Sequence, residues 1–377
     1  MQRVVHVTTF AQSGGGMQSI VRRHRQGDAA LGFAPEVAAI FEPAEPGVAD
    51  AGLGAAWWWT PGKLRRRFAR EIYPRTRGAL VVYHNAWGMP LLAPGDGAVR
   101  RVAFIHSDWP GLARRWAAIA AWSDLIICVN TALADAAGRA VPALSPTRLA
   151  VVPYPIEPVG AVMPATRSSG RRPRAGYVGR LELGQKRVDR LVPLISATGD
   201  AVAWDILGDG PARGSLERKL RGRDDVQFHG WLSGEAYWRT LAGLDAVVFT
   251  SDFEGTPIAL LEAMACGALP LFPAIGGDGE ILARQIDPRC VYPPGELKVA
   301  AQQLRALLPV GESMRTRCRE AVRAFTPAAH AAAYAAALRA AQAAPRVSAS
   351  TVLRRAHSSD ALPLALVRRF FPDALWR

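Results

Sequence analysis

Apolar positions along this chain come as short continuous runs, not as a strict alternation with polar ones. Residues 4–9, 36–41, 79–83, 101–106, 125–129 and 149–152 form such runs, separated by stretches long enough for a helix. Runs of this length suit strands covered on both faces, so the first half predicts a parallel doubly wound α/β sheet. A second series occupies residues 175–178, 202–207, 226–229, 245–250 and 269–272. Between the two, residues 158–173 are rich in Pro, Gly, Ser and Arg and lack apolar periodicity, the pattern of an interdomain connection. The expected organisation is an N-terminal domain over 1–157, the connection over 158–173 and a second domain over 174–326. The helical remainder, 327–377, begins with an alanine-dominated helix over 327–344 and is expected to return to the first domain.

The stretch 249–281 carries the sharpest local signal. Glu262 is the only charged residue between Gly255 and Gly277, inside an apolar and small run. Thr256 suits a helix cap, Pro257 the first helical position and Gly267 the left-handed residue after the end, which predicts a strand-helix-strand unit with flanking strands at 245–250 and 268–272. Glu254 then falls just ahead of the helix. At ~100° per residue, Glu262 projects within roughly 60° of Ile258 and Ala265, at the edge of a packed face. A carboxylate there needs hydrogen-bond donors, either from a ligand with adjacent hydroxyls or from an arginine elsewhere in the core.

Length and composition fit two folded domains: 377 residues, 50% of them hydrophobic. Cys128, Cys266, Cys290 and Cys318 form no Cys-x-x-Cys pair and read as buried thiols of a reducing compartment, with neither disulfide nor zinc site. Met1-Gln-Arg leads straight into an apolar run without a signal-peptide pattern, and no segment reaches the ~20 apolar residues of a membrane span, so a cytoplasmic location is expected. The formal net charge of +14, from 46 basic and 32 acidic residues, attracts phosphate on nucleic acid, anionic lipid or nucleotides. No nucleic-acid-binding motif accompanies it, which disfavours nucleic acid.

Three further features carry candidate chemistry. Arg180 leaves the strand 175–178 and Lys186 follows six positions later, a pair that can converge on one diphosphate or stand as two surface cations. Ser13-Gly14-Gly15-Gly16-Met17 lies between a strand and a helix and offers backbone N–H groups to a phosphate, or makes a flexible turn. It is neither the Gly-x-Gly-x-x-Gly fingerprint nor a Gly-Lys-Ser/Thr phosphate loop. His106 ends the run 102–105, where it can meet a substrate oxygen or simply cap its strand. No Asp-x-Asp triplet occurs in the chain, which argues against a sugar transferase that holds its diphosphate through a divalent metal.

Taken in order, Gly179-Arg180 with Lys186, Leu207-Gly-Asp-Gly-Pro211, Val226-Gln-Phe-His-Gly230, Glu254-x7-Glu262 and Gly276-Gly277 before Glu280 resemble glycosyltransferase family 4. The resemblance spans nearly the whole second domain, and the glycine loop and His106 fall in matching places of the first. It implies a GT-B fold, two facing Rossmann-like domains with parallel sheets and an interdomain cleft. It also implies retaining transfer of a sugar from a nucleotide-diphosphate donor, with no metal and no cofactor. By the same resemblance Arg180 and Lys186 hold the diphosphate, and Glu254 lies near the transferred sugar beside Gly255, Thr256 and Pro257. Glu262 accepts from the ribose hydroxyls, Gly15 and Gly16 complete the phosphate site, and His106 sits beside the sugar. Arg187 stands where many relatives carry glycine, and Tyr154 where they often have asparagine.

Residues 57–70 join three tryptophans to a basic helix, a candidate contact with anionic membrane on the inner face of the plasma membrane, or a solvated charged face. A lipid-linked or glycan acceptor, as in bacterial surface polysaccharide assembly, would accord with a membrane contact. Two competing readings share parts of the pattern: a nucleotide-sugar epimerase of the same architecture, and a non-catalytic basic scaffold binding lipid or nucleic acid.

Overall fold

The protein is described here by a computed structural model, which covers residues 1–12, 15–56, 59, 61–89, 99–156 and 170–345. Among the described residues the chain divides into two compact units, one of Met1–Pro153 with His330–Pro345, the other of Tyr154–Ala329. Most of the expected connection, residues 157–169, lies outside the described residues, as does the tail from 346.

The first unit is built on an eight-stranded sheet. Its strands are β1 (Gln2–Thr8), β2 (Phe33–Ala39), β3 (Pro43–Glu45), β4 (Ala49–Leu53), β5 (Leu80–His84), β6 (Arg100–Ile105), β7 (Leu125–Cys128) and β8 (Leu149–Val151). The spatial order is β3-β4-β2-β1-β5-β6-β7-β8, parallel throughout except for the β3–β4 pair at one edge. Central strands are inaccessible on both faces: Val4, Val5, Val7, Val81, Val82, Val102 and Phe104 have no exposed surface. That is the physical reason their sequences read as unbroken apolar runs. The edge strands β3 and β4 have no such run and escape sequence reading. Helices α1 (Gly16–Gly27), α2 (Pro61–Glu71), α3 (Tyr73–Thr76), α4 (Trp116–Trp122) and α5 (Thr131–Ala140) connect the strands.

The second unit holds a six-stranded, wholly parallel sheet. Its strands are β9 (Arg174–Val178), β10 (Ala203–Leu207), β11 (Val226–Gly230), β12 (Ala246–Val248), β13 (Leu269–Pro273) and β14 (Val291–Tyr292), ordered β11-β10-β9-β12-β13-β14. Helices α6 (Leu191–Thr198), α7 (Arg213–Lys219), α8 (Gly234–Gly243), α9 (Ile258–Ala265), α10 (Gly277–Ile286), α11 (Leu297–Leu307) and α12 (Glu312–Ala321) complete it. The alanine-rich helix α13 spans Pro327–Ala343, and its residues from His330 pack in the first unit. All four cysteines are buried free thiols. Among the described residues no helix is long and apolar enough to cross a membrane.

Candidate functional site

In the second unit the candidate residues collect at the C-terminal ends of neighbouring parallel strands, the edge where open α/β sheets take ligands. β9 runs into Gly179, whose amide donates to the Leu207 carbonyl at 3.0 Å, so the loops leaving β9 and β10 touch. A Cβ on Gly208 would stand 1.9 Å from the Gly179 carbonyl oxygen, and one on Gly210 would stand 2.5 Å from that of Leu181. Both glycines also have positive φ, so the crossing admits no side chain there.

Glu182 shapes the next turn. Buried at 3% exposure, its carboxylate accepts from the amides of Gly184 at 2.8 Å, Gln185 at 3.1 Å and Lys186 at 2.9 Å. The folded-back loop places Lys186 Nζ 2.6 Å from Glu254 Oε1. Ser251 Oγ donates to the same oxygen at 2.6 Å, and Gln185 Nε2 reaches both Glu254 Oε2 and the Phe253 carbonyl. Arg187 adopts a left-handed φ of 47° and pairs with Asp189 and Asp252. That conformation is uncommon for a residue with a side chain, and two ion pairs hold Arg187 in it.

Arg180 is partly buried, and its Nε is enclosed without a hydrogen-bond partner. Its carbonyl accepts from the Tyr177 hydroxyl at 2.9 Å. Burial, then the charges of Glu254 and Glu182, push that hydroxyl well above the usual phenol range, while the charge of Arg180 pulls the other way. One buried hydroxyl therefore senses Arg180, Glu182 and Glu254 together. Tyr154, also buried, senses Glu254 in the same manner.

The turn before α9 differs from its expected form. The helix starts at Ile258 with Pro257 as the flanking residue, and the Thr256 hydroxyl, instead of capping it, donates to Asp278 Oδ2 at 2.8 Å. Gly277 packs against this turn, where a Cβ would lie 3.4 Å from the Gly255 carbonyl oxygen. Gly267 takes the left-handed conformation expected of it, with φ 79°. Among the described residues Glu262 pairs with neither an arginine nor another charge: it accepts a hydrogen bond from the Tyr237 hydroxyl of α8. Burial, partly offset by that bond, raises its carboxyl to about 7. Tyr237 lies in a helix whose sequence gives no sign of such a role.

In the first unit, Gly15 precedes α1 and Gly16 opens it; Ser19 donates to the Gly15 carbonyl through its amide and its hydroxyl. Ser13 and Gly14 lie outside the described residues. His106 is 4% exposed, and Nε2 lies 2.7 Å from Nδ1 of His84. Its backbone amide donates to Asn85 Oδ1 at 2.7 Å. Burial, then nearby histidines, keep its imidazole well below the usual range, so the ring is neutral. Of the 57–70 stretch, Trp57, Trp58 and Thr60 lie outside the described residues. Lys63 lies over the Trp59 ring at 4.3 Å, while Leu64 and Phe68 turn α2 inward.

Residues 172–309 match the family model described as "Glycosyl transferases group 1". The lipopolysaccharide 1,6-galactosyltransferase of Escherichia coli is 30% identical over 155 residues, 39% of this chain and 42% of that protein. The GDP-mannose-dependent alpha-mannosyltransferase of Corynebacterium glutamicum is 35% identical over 114 residues, 30% of this chain and 26% of that protein. The chain thus matches less than half the length of either relative. Among solved structures, the apo form of the lipopolysaccharide outer core galactosyltransferase WaaB aligns over 90% of this chain and 99% of its own, with TM-score 0.67 and 16% identity. Anabaena HepE in complex with UDP and glucose aligns over 90% and 100%, with TM-score 0.67 and 15% identity. Residues 172–309 are accordingly a glycosyl transferases group 1 domain, and the chain has the GT-B fold.

Proposed function

We propose that this chain is a retaining, metal-independent glycosyltransferase of the family 4 type, moving a sugar from a UDP- or GDP-sugar to a glycan or lipid-linked acceptor in bacterial surface polysaccharide assembly. The observation that carries the reading is the Lys186–Glu254 contact, with Arg180, whose Nε is buried and unpartnered, in the same loop after β9 as Lys186, all inside the matched segment. Two cations at one strand edge can neutralise a diphosphate as it leaves, the role a divalent metal fills elsewhere. Glu262, with a hydroxyl donor already on one oxygen, suits adjacent ribose hydroxyls on the carboxylate.

In this reading the bond from the anomeric carbon to the phosphate oxygen breaks as positive charge grows on the sugar, with Arg180 and Lys186 stabilising the departing diphosphate. The acceptor hydroxyl attacks the same face, and its proton passes to the departing phosphate oxygen. Glu254 orients the sugar, with Gly255, Thr256 and Pro257 forming the turn beneath it. The supporting names are those of relatives: the Escherichia coli protein is a galactosyltransferase and the Corynebacterium protein is GDP-mannose-dependent. A cytoplasmic protein meeting membrane through residues 57–70 would reach a lipid-linked acceptor.

The test is release of UDP or GDP from a panel of nucleotide sugars, with and without lipid-linked glycan acceptor and with EDTA. Acceptor-dependent release that survives EDTA and retains anomeric configuration is the expected result. Strict metal dependence, or conversion of the donor without acceptor, would overturn it.

A further inference from the structure

Helices α8 and α9 of the second unit meet through one polar contact. Glu262 sits in the middle of α9, where its neighbours Leu260, Leu261, Ala263 and Met264 are all buried, and Tyr237 sits in the first half of α8. The Tyr237 hydroxyl donates to Glu262 Oε2, and among the described residues no other side chain binds that carboxylate. Oε1 is left as an acceptor with no donor among them. Trp238 meets the Tyr237 ring at a steep angle of 70°, with centroids 5.5 Å apart, an edge contact that restrains the phenol.

The bond has a fixed direction. Burial, then the charge of Glu262 and the bond to it, raise the Tyr237 hydroxyl far above the usual phenol range, so it keeps its proton and donates. A permanent donor favours the ionised carboxylate, against the burial that raises Glu262 to about 7. The other elements packed against α9 offer no competing charge. Strands β12 and β13 carry no titratable side chain. On α12, Arg315 is bound to Asp245 and Arg319 to Glu312, and burial keeps the Cys318 thiol neutral. On α8, Glu235 and Arg239 pair with each other at the surface, and on α9's own end Cys266 meets Glu262 only through the backbone, amide to carbonyl.

We infer that Tyr237 is a positioning residue for nucleotide binding: its hydroxyl holds Glu262 by one oxygen and leaves the other to accept from the ribose hydroxyls of a nucleoside diphosphate. A carboxylate held from behind in this way loses little rotamer freedom when the ligand arrives. The same bond widens the pH range over which the carboxylate is charged and can accept from two hydroxyls. The inference rests on the glycosyltransferase reading for its ligand, whereas the control of Glu262 by Tyr237 does not.

Two measurements on the full chain test it. Glutamate side-chain carboxyl carbons, labelled with carbon-13, are followed through a pH titration without ligand, and Glu262→Gln identifies the signal. In Tyr237→Phe, which keeps the ring and removes the hydroxyl, the Glu262 midpoint should rise by about one pH unit or more, the scale of one hydrogen bond to a charged group. An unmoved midpoint overturns the inference. Affinities for UDP and GDP are then compared with the parent at each pH, so that the titration of the phosphate cancels. Tyr237→Phe should bind about tenfold more weakly at pH 6 and within about twofold of the parent at pH 9, where recovery also shows that the variant is folded. A loss by the same factor at every pH would mark packing and overturn the role given to Tyr237. A parent that binds neither nucleotide defeats the glycosyltransferase reading and with it the ligand named here, an outcome distinct from both failures of Tyr237.

Discussion

Lys186 and Glu254, separated by 68 residues of chain, meet at 2.6 Å with side chains only 19% and 6% exposed. Such a pair is worth more broken than made, because removing one partner leaves the other charge buried. Lys186→Ala should therefore lose both transfer and some stability. Turnover is expected to fall by about 100-fold or more, as for removal of one preorganised charge-stabilising group. Glu254→Gln keeps acceptor and donor atoms for Ser251 and Lys186 and should unfold less readily than Lys186→Ala in a thermal scan; the reverse order would contradict the pairing.

Arg180 predicts the opposite balance. Its Nε makes no hydrogen bond among the described residues, so its removal deletes little that holds the unit together. Arg180→Ala should leave the melting temperature within a few degrees of the parent, about 1 kcal/mol or less, while nearly abolishing transfer. Measuring both on one preparation checks it, and normal turnover in a stable variant would remove Arg180 from the diphosphate site.

Glu262 predicts a pH signature. Its folded carboxyl is raised, chiefly by burial, from 4.5 to about 7. Below pH 4.5 the group is neutral in folded and unfolded chains alike. As pH rises from there to about 7 the unfolded chain ionises first, so the stability this carboxyl contributes is lost across that window and the loss levels off above it. The loss amounts to up to about 3 kcal/mol, less whatever water screens at the partly exposed edge. Ribose hydroxyls need the ionised form, so nucleotide affinity should rise between pH 6 and pH 8, by up to about tenfold per unit below 7. Calorimetric titration with UDP and GDP should show that slope in the parent and none in Glu262→Gln.

Gly208 supplies a structural prediction. A Cβ there would stand 1.9 Å from backbone oxygen at φ 131°, whereas Gly243 at the end of α8 has nothing within 4 Å and no left-handed φ. Gly208→Ala should destabilise the second unit by about 3 kcal/mol or more, while Gly243→Ala should be neutral or stabilising by up to about 1 kcal/mol. Chemical denaturation of the two variants side by side checks the contrast.

The sheets were legible because parallel strands covered on both faces must be apolar throughout, as residues 79–83 and 125–129 are. β3, β4 and β14 were not, being short and at or near sheet edges, where no run is required. Lys186 and Glu254 were candidates in the sequence, but their contact was not legible, because it joins loops 68 residues apart that only the fold brings together. Tyr237 was not a candidate: its hydroxyl reaches Glu262 from a separate helix, and nothing in the polar surroundings of α8 distinguishes it. The histidines lay between these cases. His6, His84 and His106 each sit within or at the end of an apolar run, a visible coincidence. Only the strand order β1-β5-β6 turns the coincidence into contact.

The acid at 182 has one more implication. Glycine-rich phosphate loops capture an anion with bare main-chain amides, but here the amides of residues 184–186 are already saturated by an internal carboxylate. This bend is a self-plugged cradle with no vacancy for an incoming anion. Attraction at this rim must come from long cationic side chains, which makes it tunable by single lysine or arginine replacements in a way a main-chain cradle is not.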